Sequence, residues 1–121
     1  MLNDMLWKMF TDINDKNICR GSVFRVKGTR PYEEIVDFMV YDPQEDDEGM
    51  GLIVSSGYKA GLILVILPKE SIGYGESRSI SKDWLMENWT NWVYPECGVS
   101  DVLYINNYPS PAVPHPPVSE T

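Results

Sequence analysis

Five of the seven residues from Asp42 to Glu48 are acidic: Asp42, Glu45, Asp46, Asp47 and Glu48. Oxygen-rich loops suit a hard cation, but EF-hand spacing fails here. With Asp42 in first place, Asp47 takes the sixth, where that loop needs glycine. A dense carboxylate run is then either a solvated loop or the complement of a basic surface. The only histidine, His115, stands among prolines near the C-terminus. No rigid element holds it there against a serine or cysteine, so a nucleophile–base pair is not expected. Cys19 and Cys97 are too few for a disulfide framework and too far apart for a zinc motif. Cys19 has Arg20 beside it, the kind of neighbour that activates a thiol, yet the default for both is a small half-buried thiol. Gly73-Tyr74-Gly75 lacks the third glycine and the strand-to-helix setting of a nucleotide loop. Glu33–Glu34 and Glu87–Glu96 serve acid–base chemistry only if folding brings two carboxyls within a few ångströms. No catalytic set, metal site or cofactor is expected.

The aromatic and basic residues have to be weighed beside the acids. Trp84, Trp89, Trp92 and Tyr94 crowd one segment, flanked by Asp83, Glu87 and Glu96 with Lys82 as the lone base. Base-stacking platforms need surrounding positive charge, so these rings read as core, Trp89 above all. One of Trp84 or Trp92, at the edge of the apolar face, is a candidate exposed anchor for a partner. Arg25 and Lys27 fall on one side of a strand, the usual arrangement on the solvent face of a protected edge strand.

The elements that must position these groups follow from patterning. Leu2, Met5, Leu6, Met9 and Ile13 recur at helical spacing and predict a short N-terminal helix. Val23–Lys27 and Ile35–Tyr41 read as antiparallel strands, Leu52–Ser55 and Leu62–Leu67 as two more joined by the glycine-containing turn at 57–61, and Val102–Ile105 as a last strand. Leu62–Leu67 is apolar throughout and is expected in the middle of the sheet, covered on both faces. Ser81 is an N-cap with Asp83 in the first turn, opening a Trp-rich helix to about Val93 that Pro95 and Gly98 stop. The expectation is one small α+β domain over 1–108: an antiparallel sheet of about five strands with that helix packed on it. Five of the nine prolines fall in 109–121, which reads as an extended or disordered tail.

The chain has 121 residues, enough for one core without disulfides or metal. Its formal charge is −8, and from Asp83 onward there are five acids and no base. That balance opposes direct nucleic-acid binding, which runs on Lys and Arg against phosphate. No basic-then-apolar leader or membrane-length apolar run occurs, so a cytoplasmic setting and no membrane partner are expected.

Two strings carry a family resemblance: Cys19-Arg20-Gly21-Ser22-Val23-Phe24-Arg25-Val26-Lys27-Gly28-Thr29-Arg30-Pro31-Tyr32-Glu33 and Trp84-Leu85-Met86-Glu87-Asn88-Trp89-Thr90-Asn91-Trp92-Val93-Tyr94-Pro95-Glu96. With Gly57-Tyr58-Lys59-Ala60-Gly61 between them, they resemble the immunity protein 45 family of bacterial polymorphic toxin systems. The resemblance spans about Ile18 to Ile105. It implies a non-enzymatic antidote that binds and blocks the C-terminal domain of a cognate toxin, as in contact-dependent growth inhibition. A basic nuclease is the toxin that the charge suits best. The contact residues expected are Asp42, Glu45, Asp46, Asp47 and Glu48 in the loop, with Asp83 and Glu87 on the helix. Two other readings are a small adaptor using the Pro-rich tail as a linear ligand and a carboxylate enzyme.

Overall fold

A computed structural model describes residues 6–75, 77–109 and Pro117. Among the described residues there are eight short strands: β1 (Lys8–Met9), β2 (Asn17–Cys19), β3 (Val23–Lys27), β4 (Ile35–Tyr41), β5 (Gly51–Val54), β6 (Ile63–Ile66), β7 (Ser79–Ser81) and β8 (Leu103–Ile105). Six of them form an antiparallel sheet in the order β1-β8-β3-β4-β5-β6, and β2 pairs with β7 in a separate ribbon. The longest helix among the described residues, α1, runs over Lys82–Asn88 and continues as a π-helical turn over Trp89–Val93.

The register sorts the side chains. Phe24 pairs with Phe38 and Tyr104, Phe38 with Val54, and Val40 with Leu52, so by strand alternation these share one face. All are buried, and Phe10, Leu85, Trp89 and Val93 join them in a single core. Phe10, Phe24, Trp89 and Tyr104 form an edge-and-tilt aromatic cluster with centroids 5.0 to 6.2 Å apart. Ser81 caps α1 as expected, its Oγ accepting from the Trp84 N–H at 3.3 Å. The π turn closes with the Tyr94 N–H donating to the Trp89 carbonyl at 3.0 Å. That wider turn buries both Trp89 and Val93 and leaves Trp92 41% exposed.

The opposite face is held differently. Asp37, in the middle of β4, is 2% exposed and carries a carboxylate there. Arg25 on β3, directly opposite, donates Nε to Oδ1 at 2.7 Å and Nη2 to Oδ2 at 3.0 Å. Tyr108, beyond β8, donates its hydroxyl to Oδ2 at 2.7 Å and shares a hydrogen bond with Ser55 at 2.9 Å. With the phenol hydrogen spent on Asp37, Ser55 is the donor of that pair. The Trp7 ring lies 4.2 Å from the Arg25 guanidinium carbon, within cation–π reach. A buried charge is tolerated only when paired and hydrogen-bonded, and both conditions hold.

Several expectations are corrected. The N-terminal helix does not extend through Met9 and Ile13. Lys8 and Met9 instead pair with Tyr104 and Leu103, a 3₁₀ turn covers Phe10–Asp12, and the Phe10 N–H donates to the Val102 carbonyl at 2.8 Å. Tertiary pairing overrides the helical spacing; Leu2 and Met5 lie outside the described residues. The large sheet has six strands rather than five, because β1 is too short to show a period, and the same brevity hid β2 and β7. β3 is an interior strand, and Arg25 on it is an ion-pair partner rather than an edge guard. β6 is an outer strand instead of a central one, with Leu62 56% and Ile63 60% exposed. The π turn packs against it, and no strand lies beyond it among the described residues. His115 and most of the 109–121 segment lie outside the described residues.

Two measurements test this account. Trp89→Ala is expected to cost about 3–5 kcal/mol in urea unfolding, whereas Trp92→Ala should stay below about 1 kcal/mol. The Tyr108 hydroxyl is pushed up to about 12, first by burial and then by Asp37, against the bond from Ser55. The folded state thus holds this proton more tightly than the unfolded one, whose phenol titrates near 10. Its stabilisation is complete below about pH 10 and is lost as pH rises through about 12. Tyr108→Phe should flatten this alkaline loss in urea titrations and cost about 1–2 kcal/mol at neutral pH.

Candidate partner-binding surface

The acidic loop is built on a hairpin. It leaves β4 at Tyr41 and enters β5 at Gly51, and its base is closed by the Gly49 N–H donating to the Leu67 carbonyl at 2.9 Å. Asp42 Oδ1 accepts the Gln44 N–H at 2.8 Å, a local turn bond that supports Gln44 at φ 61°. Arg78, just before β7, then clamps the loop from below. Its Nε donates to Asp42 Oδ1 at 3.0 Å, and its Nη2 donates to the carbonyls of Glu48 and Gly49 at 3.0 and 3.1 Å.

This clamp divides the five acids. Asp42 is half-buried and neutralised by Arg78, so it is a fixture of the loop rather than a free charge. Glu45, Asp46 and Asp47 are exposed, while Glu48 is half-buried. Glu48 acts on its neighbour: burial first, and then its charge, push the Tyr41 hydroxyl pKa up. Asp83 and Glu87 are both exposed and four residues apart on α1, hence on one side of the helix. Among the described residues no ion pair or hydrogen bond joins them to the loop. The seven expected contact residues therefore fall on two separate elements.

Two further features stand beside these acids, one that the sequence left open between two tryptophans and one that it did not foresee. The first is the aromatic pair Trp84–Trp92, with ring centroids 5.9 Å apart, in which the exposed member is Trp92. It stands on the same helix as Asp83 and Glu87; the four-residue row Trp84, Asn88 and Trp92 was the available signal. The second is a cleft of about 510 Å³ beside the acidic loop, lined by Cys19, Arg20, Asp42, Gln44, Met50, Ser77 and Arg78. Its arginines come from segments distant in sequence, which no local pattern reveals. Cys19 is exposed there rather than half-buried, and Cys97 is half-buried with its pKa raised by burial and by Asp101.

The chemistry on offer is limited. Asp42 is the one carboxylate lining this cleft, and Asp15 the one lining a second cavity of about 310 Å³ near Lys8 and Tyr104. Neither brings two carboxyls together. Glu33 is occupied structurally, accepting the Tyr58 N–H at 3.1 Å, and its carboxylate sits where a Cβ on Gly57 would fall. Among the described residues no three His, Cys, Asp or Glu side chains are grouped to hold a metal ion. No described helix is long and apolar enough to cross a membrane. What stands out is a charged loop pinned at its base and a helix that presents acids with an exposed tryptophan. Arg78→Ala should release the loop: amides from Glu45 to Gly49 exchange faster with deuterium, and stability drops by about 1–2 kcal/mol.

The comparisons with known proteins agree with the strings noted in the sequence. A family model described as immunity protein 45 matches residues 10–104. No curated protein and no solved structure matches the chain. The matched span takes in every strand from β2 to β7, all of α1 and the aromatic core, so the chain belongs to the immunity protein 45 family.

Proposed function

We propose that this protein is a cytoplasmic antidote that binds the C-terminal domain of a cognate antibacterial toxin and covers its active or substrate-binding surface, performing no covalent chemistry itself. The family match over residues 10–104 carries this reading. The charge pattern supports its finer part. A net charge of −8 complements a basic toxin, and a nuclease is basic because it must hold phosphate. In this reading Glu45, Asp46, Asp47, Asp83 and Glu87 steer the encounter, Asp42 and Glu48 hold the loop in shape, and Trp92 supplies the desolvated anchor that fixes the bound pose.

The decisive experiment is co-expression with the toxin domain encoded next to this gene. Cells making both should grow, and the two chains should co-purify; growth arrest with both present removes the reading. Reversing charge at Glu45, Asp46 and Asp47 together should slow association about tenfold at low salt and flatten its salt dependence. Trp92→Ala should instead raise the dissociation rate, about tenfold or more for a true anchor. A chain ending at Tyr108 keeps protection if the folded domain is the inhibitor and loses it if the Pro-rich segment is the ligand.

A further inference from the structure

β6 raises a problem that the single chain leaves open. From Gly61 to Pro68 there is no charged residue, and Leu62 and Ile63 stand exposed beside the outer backbone row of the sheet. Unpaired N–H and C=O groups next to apolar side chains are a template for another strand, and monomeric proteins guard such edges with charge, proline or a twist. The opposite edge, β1, follows that practice: it is two residues long and carries Lys8. β6 has only Pro68 past its end, with Lys59 and Lys69 beyond the two termini. Its composition suits a strand covered all round, yet with the π turn packed against it Leu62 and Ile63 are still exposed.

We infer that β6 pairs antiparallel with β6 of a second copy, joining two six-stranded sheets across a two-fold axis. Charge selects this occupant. The strand is neutral, so a charged foreign strand gains nothing along it, while its own copy sets apolar against apolar. The two ends of β6 differ. At one end is the turn carrying Lys59, whose ammonium lies 5.6 Å from the Tyr58 ring centre. At the other end Leu67 is bonded to Met50 and Gly49, at the base of the acidic loop. Antiparallel pairing brings each Lys59 turn to the acidic-loop end of its partner, where Lys69 and Glu70 also stand and offset one another. Parallel pairing would set the Lys59 turns together and the acidic loops together.

The test is the oligomeric state of the full chain by sedimentation velocity. From about 1 to about 200 μM, the range suited to an interface of less than standard size, the 13.8 kDa species should give way to one of twice that mass. Ile63→Lys and Leu62→Lys, both at exposed positions, should weaken the dimer about tenfold or more, since each lysine is then set against the apolar far end of the other copy's strand and loses water without gaining a partner. Hydrogen exchange on the wild-type chain gives an independent reading: β6 amides that do not reach β5 should slow as concentration rises. A monomer at every concentration overturns the inference. So does a folded Ile63→Lys variant that dimerises as well as the parent, or β6 amides that stay unprotected in the dimer.

Discussion

A six-stranded sheet has two faces, and α1, the one α-helix longer than a turn among the described residues, packs on one of them. Everything else in the architecture follows from how the second face is handled. On the helix side the solution is bulk: Phe24, Phe38 and Trp89 fill a dry layer with no ionised group. On the other side the solution is a charge made safe. Asp37 is held by Arg25 across the strand pair and by Tyr108 arriving from beyond β8. Replacing that network with apolar side chains would bury area equally well. It would not fix where the segment after β8 crosses the sheet, and directional bonds do that.

The same division organises the surface. The dry layer needs α1 to sit flat, and the π turn lets the helix bury Trp89 and Val93 while turning Trp92 outward. An exposed ring on a rigid helix loses little entropy when a partner covers it. The acidic loop is arranged on a similar principle. Arg78 cancels Asp42 and ties down two carbonyls, so the remaining charge is displayed from a shaped base. Both features suit recognition of another protein, which is how members of an immunity family work.

Much of this was legible before folding. β4 matches the apolar run Ile35–Tyr41 residue for residue, β3 ends at Lys27 beside Gly28, and Ser81 caps the helix it was assigned. These signals are local, and local chemistry decides them. The misreadings share a different cause. Met9 and Phe10 follow contacts with Leu103 and Val102, more than ninety residues away in the chain. Arg25 looked like a surface base because nothing near it in sequence announces that Asp37 stands opposite. The apolar run 62–67 states correctly that cover is needed but not which element provides it, so a central position and an edge awaiting a partner read alike. Of the candidate surface, the acids were readable as types; the clamp that removes Asp42 from the set was not, because Arg78 lies 36 residues on.

The Asp37 network also bears on where the working unit begins and ends. The family match covers 10–104, while Trp7 and Tyr108, which brace the network from its two ends, both lie outside it. A fragment trimmed to the matched span would keep the ionised side chain in its strand and discard two of the groups that make burying it tolerable. The smallest piece that behaves like the parent is therefore longer at both ends than sequence kinship alone would suggest.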